Sequence, residues 1–362
     1  MAVPAQSGYQ PNTWQSFARQ HGLEGRPVVA VGFYPHWRPV LAGFVQGVSI
    51  RHVRKLEGIA PGSVVLVWGQ KTLPGVPEDC TVVRLEDGFL RSVGLGAEFA
   101  RPLSWVLDFE HLYFDARGAS NLEHLLNTHS FSDAERTRAK SLLNEIQAAG
   151  LTKYNTGQGI WKRPAGQAQV ILVPGQVESD ASIAFGSPEV QSNIGLLRAV
   201  RESHPNAWIV YKPHPDVVAG ARKAGKNESS AADLCDEVIT DVAMDSLLAE
   251  VDEVHTMTSL TGFEALIRHK AVTCYGLPFY AGWGLTDDKL TCARRSRQLG
   301  LKELAHAVLI QYPLYVSRES GDYTTPEYIL HELQYWQGTP LSWQDRLKKY
   351  ARRIINAIRG KT

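Results

Sequence analysis

Short apolar, β-branched runs recur along this chain with helix-like or turn-like segments between them. That alternation restricts the fold more than any other feature of the sequence. "PVVAVGF" (27–33), "SVVLVWG" (63–69), "CTVVRL" (80–85) and "LSWVLD" (103–108) form a first series. "VILVPG" (170–175), "WIVYKPHP" (208–215), "DEVIT", "EVHTM" and "AVTCYG" form a second. Runs of four to eight such residues bounded by turns fit buried strands, and their alternation with helices predicts α/β architecture with parallel sheets. A helical pair is predicted from about 120 to 150. Ser132 and Glu135 stand in capping-box spacing and Gly150 is at the end. "SPEVQSNIGLLRAVRESHP" predicts a further helix capped by Ser187, with Pro188 in its first turn.

The stretch 156–169, rich in Gly and Pro, reads as a linker between the two series. The division expected is 1–160 for a first Rossmann-like domain, 165–310 for a second, and 311–362 for terminal helices. Two such domains facing a cleft are the arrangement of many nucleotide-sugar glycosyltransferases, called GT-B, although topology alone fits other two-domain α/β enzymes as well.

Composition removes several alternatives. At 362 residues the chain has room for two domains, and a formal net charge of +1 gives no general attraction to nucleic acid. Cys80, Cys235, Cys274 and Cys292 are scattered without C-x-x-C spacing, which argues against a zinc framework or disulfides and fits a reducing cytoplasm. The first residues lack the basic and apolar regions of a signal peptide, and no apolar run approaches membrane-spanning length.

Chemistry-bearing residues cluster where strands are expected to end, the edge at which open α/β sheets bind ligands. In "VYKPHPDVVAG", Pro213 and Pro215 end the strand and place Lys212 and His214 in a loop suited to an anion. In "TSLTGFEAL", Ser259 and Thr261 open a helix whose first turn can bind phosphate, Gly262 allows close backbone approach, and Glu264 can accept ribose hydroxyls. An ordinary helix cap fits the same residues. Gln176, after "ILVPG", can contact a base or substrate, while Asp180 also fits a solvated turn. In "RLEDGFLRSVGLG", Glu86 and Asp87 sit at a strand end with Gly88 as a turn and Arg91 near enough to hold a carboxylate ionised. Adjacent strand residues point opposite ways, so Glu86 and Asp87 are not expected to form a direct pair. The loop "PFYAGWGLTDD", with Tyr280, Gly282 and Trp283, can pack a sugar or base or simply close the domain. Arg294, Arg295 and Arg297 form a basic cluster that suits an acidic ligand or a solvated face.

Several of these motifs occur in an order that resembles a known family: "EDGFLRSVGLG", "RPLSWVLD", "LTKYN", "PGQVESDASI", "YKPHPDVVAG", "MTSLTGFEAL" and "CYGLPFYAGWGLTDD". From Val28 to Trp336 the chain resembles the KpsC-type capsule polysaccharide β-Kdo transferases, which are modified GT-B enzymes. The resemblance implies transfer of Kdo from CMP-β-Kdo, with retention, onto a lysophosphatidylglycerol-linked Kdo primer at the cytoplasmic face of the inner membrane. It implies Asp87 as the acidic catalytic residue, with Glu86 and Arg91 as helpers. It also implies a nucleotide pocket of Gln176, Lys212, His214, Pro215, Ser259, Gly262 and Glu264. Family members commonly carry two modules. The wording of "PGQVESDASI" is more like the carboxyl-terminal one, implying a β-(2→7) rather than β-(2→4) linkage.

No cofactor or metal is expected, because no D-x-D motif is placed to hold a cation on a pyrophosphate. Two other classes fit the same residues: a non-catalytic nucleotide-sugar or glycan-binding module, and a GT-B-fold epimerase. In the tail, "LSWQDRLKKYARRIINAIRGKT", Trp343, Leu347, Ala351, Ile354, Ile355 and Ile358 share a helical face among many basic residues. This pattern predicts an interfacial helix on anionic lipid, and a helix docked on the first domain is the other outcome.

Overall fold

A computed structural model describes residues 9–92, 101–153 and 159–337. The basic tail, part of "RSVGLG" and the end of "LTKYN" lie outside the described residues. In chain order the elements are α1 (Trp14–Gln20), β1 (Val28–Val31), α2 (Arg38–Phe44), β2 (Ile50–Val53), β3 (Val64–Trp68), β4 (Thr81–Asp87) and β5 (Ser104–Asp108). There follow α3 (Asn121–Thr128), α4 (Asp133–Ala148), β6 (Val170–Pro174), α5 (Ala181–Gly186), α6 (Asn193–Ser203), β7 (Trp208–Lys212), α7 (Pro215–Val218) and β8 (Glu237–Val238). The last are α8 (Met244–Glu250), β9 (Glu253–Thr256), α9 (Leu260–Ile267), β10 (Ala271–Cys274), β11 (Asp287–Asp288), α10 (Leu301–Ala305), β12 (Leu314–Tyr315) and α11 (Pro326–Gln337).

The strands form two six-stranded sheets, as the two apolar series predict. The second sheet is parallel throughout, in the order β11-β10-β9-β6-β7-β8. Strand order therefore reverses between β6 and β9, and a crevice opens outside their carboxyl ends. The first sheet, β12-β5-β4-β3-β1-β2, departs from the expectation of a parallel sheet: β5 runs antiparallel to β4, and β12 antiparallel to β5. The reason is local. Past Asp87 the pairing continues, Gly88 N–H donating to Ser104 C=O at 2.9 Å and Leu103 N–H to Arg91 C=O at 2.9 Å. Gly88 thus extends a ladder rather than making a turn, and a Cβ there would stand 2.5 Å from Ser104 Oγ.

Two helix starts illustrate how local chemistry decides. The capping box of α4 forms as predicted, Ser132 Oγ accepting from Glu135 N–H and Glu135 Oε2 accepting from Ser132 N–H at 2.7 Å. The next predicted helix begins later than expected. Ser187 ends α5, and Ser192 caps α6 by accepting from Gly195 N–H. The linker is only partly a linker. Trp161 is buried and donates to Glu237 Oε2 at 3.0 Å, so its strand-side half is docked on the second sheet's domain.

Residues after 310 return to the first sheet through β12 before α11 begins, rather than forming helices alone. The largest apolar cluster runs from Leu122, Leu126, Leu142 and Ile146 on α3 and α4 to Leu304, Leu309 and Ile329, and on to Leu172, Val210 and Val254 of the second sheet. Both halves therefore share one core.

The arginine cluster joins them. Arg295, 3% exposed at its side chain, meets Glu123 of α3 at 3.0 Å, and Arg294 meets the other carboxylate oxygen at 2.7 Å. Arg297 donates to Leu126 and His129 C=O. Arg295 is thus a buried structural residue, while Arg294 stays exposed beside the same carboxylate. Removing one partner of a buried pair leaves an uncompensated charge, so Glu123→Ala is expected to cost about 3–5 kcal/mol of unfolding free energy, read from urea denaturation. A loss below about 1 kcal/mol would show that the bridge is dispensable.

Candidate functional site

A cleft of about 1430 Å³ opens where the carboxyl ends of the two sheets face each other. Gly32, Tyr34, Trp68, Glu86 and Asp87 line it from the first sheet's loops. Gln176, Asp180, Lys212, His214, Ser259 and Glu264 line it from the second. The strand-end reading thus brings both sets of candidates to one place.

On the first wall, Glu86 and Asp87 both line the cleft, against the expectation that alternation would separate them. They lie at the last two positions of β4, and the cleft wraps around the strand's end. Their environments differ. Glu86 is pushed up to about 8, first by burial and then by the negative charge of Asp87, so it holds its proton at neutral pH. Asp87 keeps Oδ2 on Arg91 Nε at 2.5 Å, and Arg91 is 3% exposed. Asp87 Oδ1 is buried with no hydrogen-bond partner.

The second wall is built by short caps. His214 is the N-cap of α7, its Nδ1 accepting from Asp216 N–H at 3.1 Å, with Pro215 in the first turn. Burial, with Lys153 next, lowers its pKa to about 4, while Asp180 acts the other way. At pH 7 the ring is therefore neutral, and with Nδ1 accepting, its proton sits on Nε2. Lys212 is buried, donates to Thr240 C=O at 3.2 Å, and is lowered by burial against the pull of Asp241. Ser259 caps α9, its Oγ accepting from Thr261 N–H at 3.2 Å. Glu264 is buried and raised by that burial, although Oε1 accepts from Lys153 N–H at 2.7 Å.

Several candidates do other work than the sequence reading gave them. Gln176 lines the cleft, but its side chain is committed. Oε1 accepts from Thr258 N–H at 2.9 Å and Nε2 donates to Thr258 Oγ1 at 2.9 Å, which sets the loop before α9. Gly262 does not line the cleft. A Cβ there would stand 2.2 Å from Tyr280 Oη, and Tyr280 donates to Ser259 C=O. Tyr280 and Trp283 are fully buried, and Trp283 Nε1 donates to Phe279 C=O at 2.8 Å. Gly282, at φ +82°, folds the chain over Arg295. Of this loop only Pro278 and Phe279 reach the cleft. Tyr280 supports α9 from behind, while Gly282 and Trp283 hold the loop itself together.

Sequence reasoning missed two groups. Tyr34, 70% exposed, and the stacked pair Trp37–Trp68, 6.3 Å apart at 20°, give the first wall an aromatic surface. These residues lie at the ends of β1 and β3, a position that could have flagged them. Lys153 and Arg222 bring positive charge to His214 from segments with no strand-end signature.

Comparison with known proteins places this geometry. The model of the family described as "Capsule polysaccharide biosynthesis protein" matches residues 117–315. The chain belongs to that family. Among its relatives, the capsule polysaccharide modification protein LipA of Neisseria meningitidis serogroup B is 49% identical over 239 residues, 66% of this chain. The chain matches only 34% of LipA's own length. Two solved structures of Thermosulfurimonas dismutans KpsC cover it almost end to end. The β-Kdo 2,7 transferase has 34% identity and a TM-score of 0.72 over 86% of this chain and 100% of its own. The β-Kdo 2,4 transferase has 32% identity and a TM-score of 0.73 over 87% and 99%. The fold of this capsule family member is that of a KpsC transferase module.

The raised Glu86 has a sign that can be tested. A carboxyl held above its ordinary value of 4.5 contributes stability fully present below that pH and lost as pH rises through about 8. Glu86→Gln is expected to raise the melting temperature relative to the parent at pH 8–9 and not at pH 4. A parallel pair of curves across that window would show that Glu86 is not held protonated.

Proposed function

We propose that this chain is a retaining β-Kdo glycosyltransferase that moves Kdo from CMP-β-Kdo to a Kdo-terminated, lipid-linked primer for capsule polysaccharide. One observation carries the reading. A wall whose Lys212, His214 and helix start suit a phosphate and a wall that carries carboxyls share one cleft, in a chain that matches whole KpsC modules.

His214 Nε2–H, Lys212 and the amino end of α9 suit the CMP phosphate, stabilising the charge it gains on leaving. Lys153 and Arg222, nearby, suit the carboxylate of the acidic sugar. The exposed face of Tyr34 and the Trp37–Trp68 pair suit the acceptor's sugar ring.

Retention follows from two displacements. In the first, a carboxylate oxygen attacks the anomeric carbon. The bond from that carbon to phosphate oxygen breaks, its electron pair leaves with CMP, and Glu86 gives CMP its proton. In the second, the acceptor hydroxyl attacks the same carbon, the sugar–carboxylate ester breaks, and Glu86 takes the hydroxyl proton. Asp87, the sequence candidate for the attacking group, has one oxygen on Arg91 and the other buried. Asp180 is half-exposed in the cleft, caps α5 through Oδ1, and lies near enough to influence both Glu86 and His214. The attack is assigned to Asp180, with Asp87 holding Arg91 and keeping Glu86 protonated.

Incubation with CMP-Kdo and a synthetic Kdo-terminated acceptor is expected to release CMP and give a β-Kdo product. The linkage read by NMR is expected to be β-(2→7), and β-(2→4) would reassign the module. Mass mapping of chain treated with donor alone is expected to find Kdo on Asp180, with Asp180→Asn inactive. An adduct on Asp87 would exchange the two roles, and an inverted product would overturn double displacement. CMP binding without transfer to any such acceptor would favour the binding-module reading.

His214→Ala removes a hydrogen bond to a charged phosphate, worth about 1.5–3 kcal/mol, so calorimetry is expected to show CMP affinity falling about tenfold or more. Unchanged affinity would place the phosphate elsewhere.

A further inference from the structure

Away from the cleft, at the start of β9, three side chains converge. His204 caps the carboxyl end of α6, and Glu253 and His255 lie two residues apart on β9, so they face the same side of the strand. One ligand-type atom from each lies within 4.8 Å of the others. We propose that His204, Glu253 and His255 form a binding site for a zinc-class divalent ion that pins α6 to the second sheet.

The ring geometry is one that a shared metal ion can occupy. The His204 and His255 rings are 4.9 Å apart between centroids and nearly perpendicular, at 85°. Two imidazoles on one tetrahedral ion with metal–nitrogen bonds of about 2.1 Å have centroids about 5 Å apart. His255 Nε2 and Glu253 Oε2 are 3.1 Å apart, against about 3.4 Å for neighbouring ligands on such an ion. A shift of a few tenths of an ångström admits it.

Each ligand also has an outer partner at its other polar atom. His204 Nδ1 meets Ser203 Oγ at 2.9 Å. Glu253 Oε1 accepts from Gln169 Nε2 at 2.8 Å. His255 Nδ1 meets Tyr275 Oη at 3.4 Å. On the inner side Glu253 Oε2 and His255 Nε2 meet each other at 3.1 Å, and the three ligand-type atoms of the trio lie within 4.8 Å of one another, close enough to share one ion. Lys289 acts on His255 from outside the cluster, but its ammonium is held by Asp287 at 2.6 Å. Two imidazoles and one carboxylate suit zinc and its neighbours rather than magnesium or calcium, which prefer oxygen ligands. With His255 buried and the other two half-buried, a fourth position faces solvent.

A second trio, His129, Glu135 and His306, serves as an internal control. Its rings are near parallel, at 9° and 6.3 Å. Glu135 has one oxygen on the Ser132 capping box and the other on His129, much as Glu253 has one on Gln169 and the other on His255, so it is the ring arrangement that separates the two trios. It has the residue types without the arrangement.

The test uses the full chain, stripped with chelator and titrated with zinc chloride by calorimetry, with melting temperature as a second readout. One equivalent of zinc is expected to bind and raise the melting temperature, and magnesium chloride is expected to do neither. His204→Ala and Glu253→Gln, both at half-buried positions, are expected to weaken zinc binding by at least about tenfold, since loss of a mere outer partner already costs about 10–100-fold. His129→Ala is expected to leave it unchanged. Absence of zinc binding, equal binding in the His204 and Glu253 variants, or its loss in His129→Ala would each overturn the site. CMP-Kdo turnover does not enter the test, so the proposal stands or falls apart from the assigned reaction.

Discussion

The cleft depends on how one buried amide is spent. In a parallel sheet whose order reverses between β6 and β9, the loops leaving those strands diverge, and something must fix their separation. Gln176 does so: its backbone N–H and C=O are both held by the Asn193 side chain, at 2.9 Å each, and its side chain closes on Thr258. Buried polar atoms must be paired, so this arrangement has little freedom to slip. The loop it fixes leads directly into Ser259 and the start of α9. Tyr280 supports the same turn from behind, through the space that only a glycine at 262 leaves. The amino end of that helix, the proposed phosphate site, is thus positioned by hydrogen bonds made behind it.

The opposite wall is organised by charge. Two adjacent carboxyls at one strand end would repel if both were ionised. A buried arginine on Asp87 resolves the conflict in its favour and leaves Glu86 to carry the proton. A protonated acid and an arginine-bound carboxyl then lie side by side in one small region. Arg91 is itself on the antiparallel return from β4 to β5, so the departure of this sheet from parallel order bears on the chemistry.

Much of this was legible in the sequence because strands such as "VVLVW" and "VILVP" are buried on both faces and read as continuous apolar runs. The strands that escaped notice are edges. β2 is "IRHV" and β11 is "DD", and an edge strand needs backbone pairing on one side only, not an apolar face. For the site, strand-end position and turn chemistry found Glu86, Lys212, His214 and Ser259. They could not tell a side chain that faces the cleft from one that braces it. Gln176, Gly262, Tyr280 and Trp283 all look like ligand contacts in one dimension, and their hydrogen bonds and neighbours show bracing. Conversely, Tyr34, Trp37 and Trp68 look like ordinary core aromatics until the exposed face of Tyr34 is seen.

The two KpsC modules that differ in linkage match this chain almost equally, with TM-scores of 0.72 and 0.73. A backbone shared so evenly cannot encode the choice of acceptor hydroxyl. In the proposed reaction the wall suited to phosphate would not choose either, since the donor would lose the same leaving group whichever hydroxyl attacked. What remains is the surface on which an acceptor ring would rest, the aromatic residues at the ends of β1 and β3. Aromatic faces hold a sugar by broad contact rather than by fixed hydrogen bonds, so a modest change in their tilt turns a different hydroxyl toward the anomeric carbon. In the proposed reaction, linkage would then be set by a few exposed side chains at the strand ends of the first sheet, Tyr34 foremost, while the second sheet would serve either linkage unchanged.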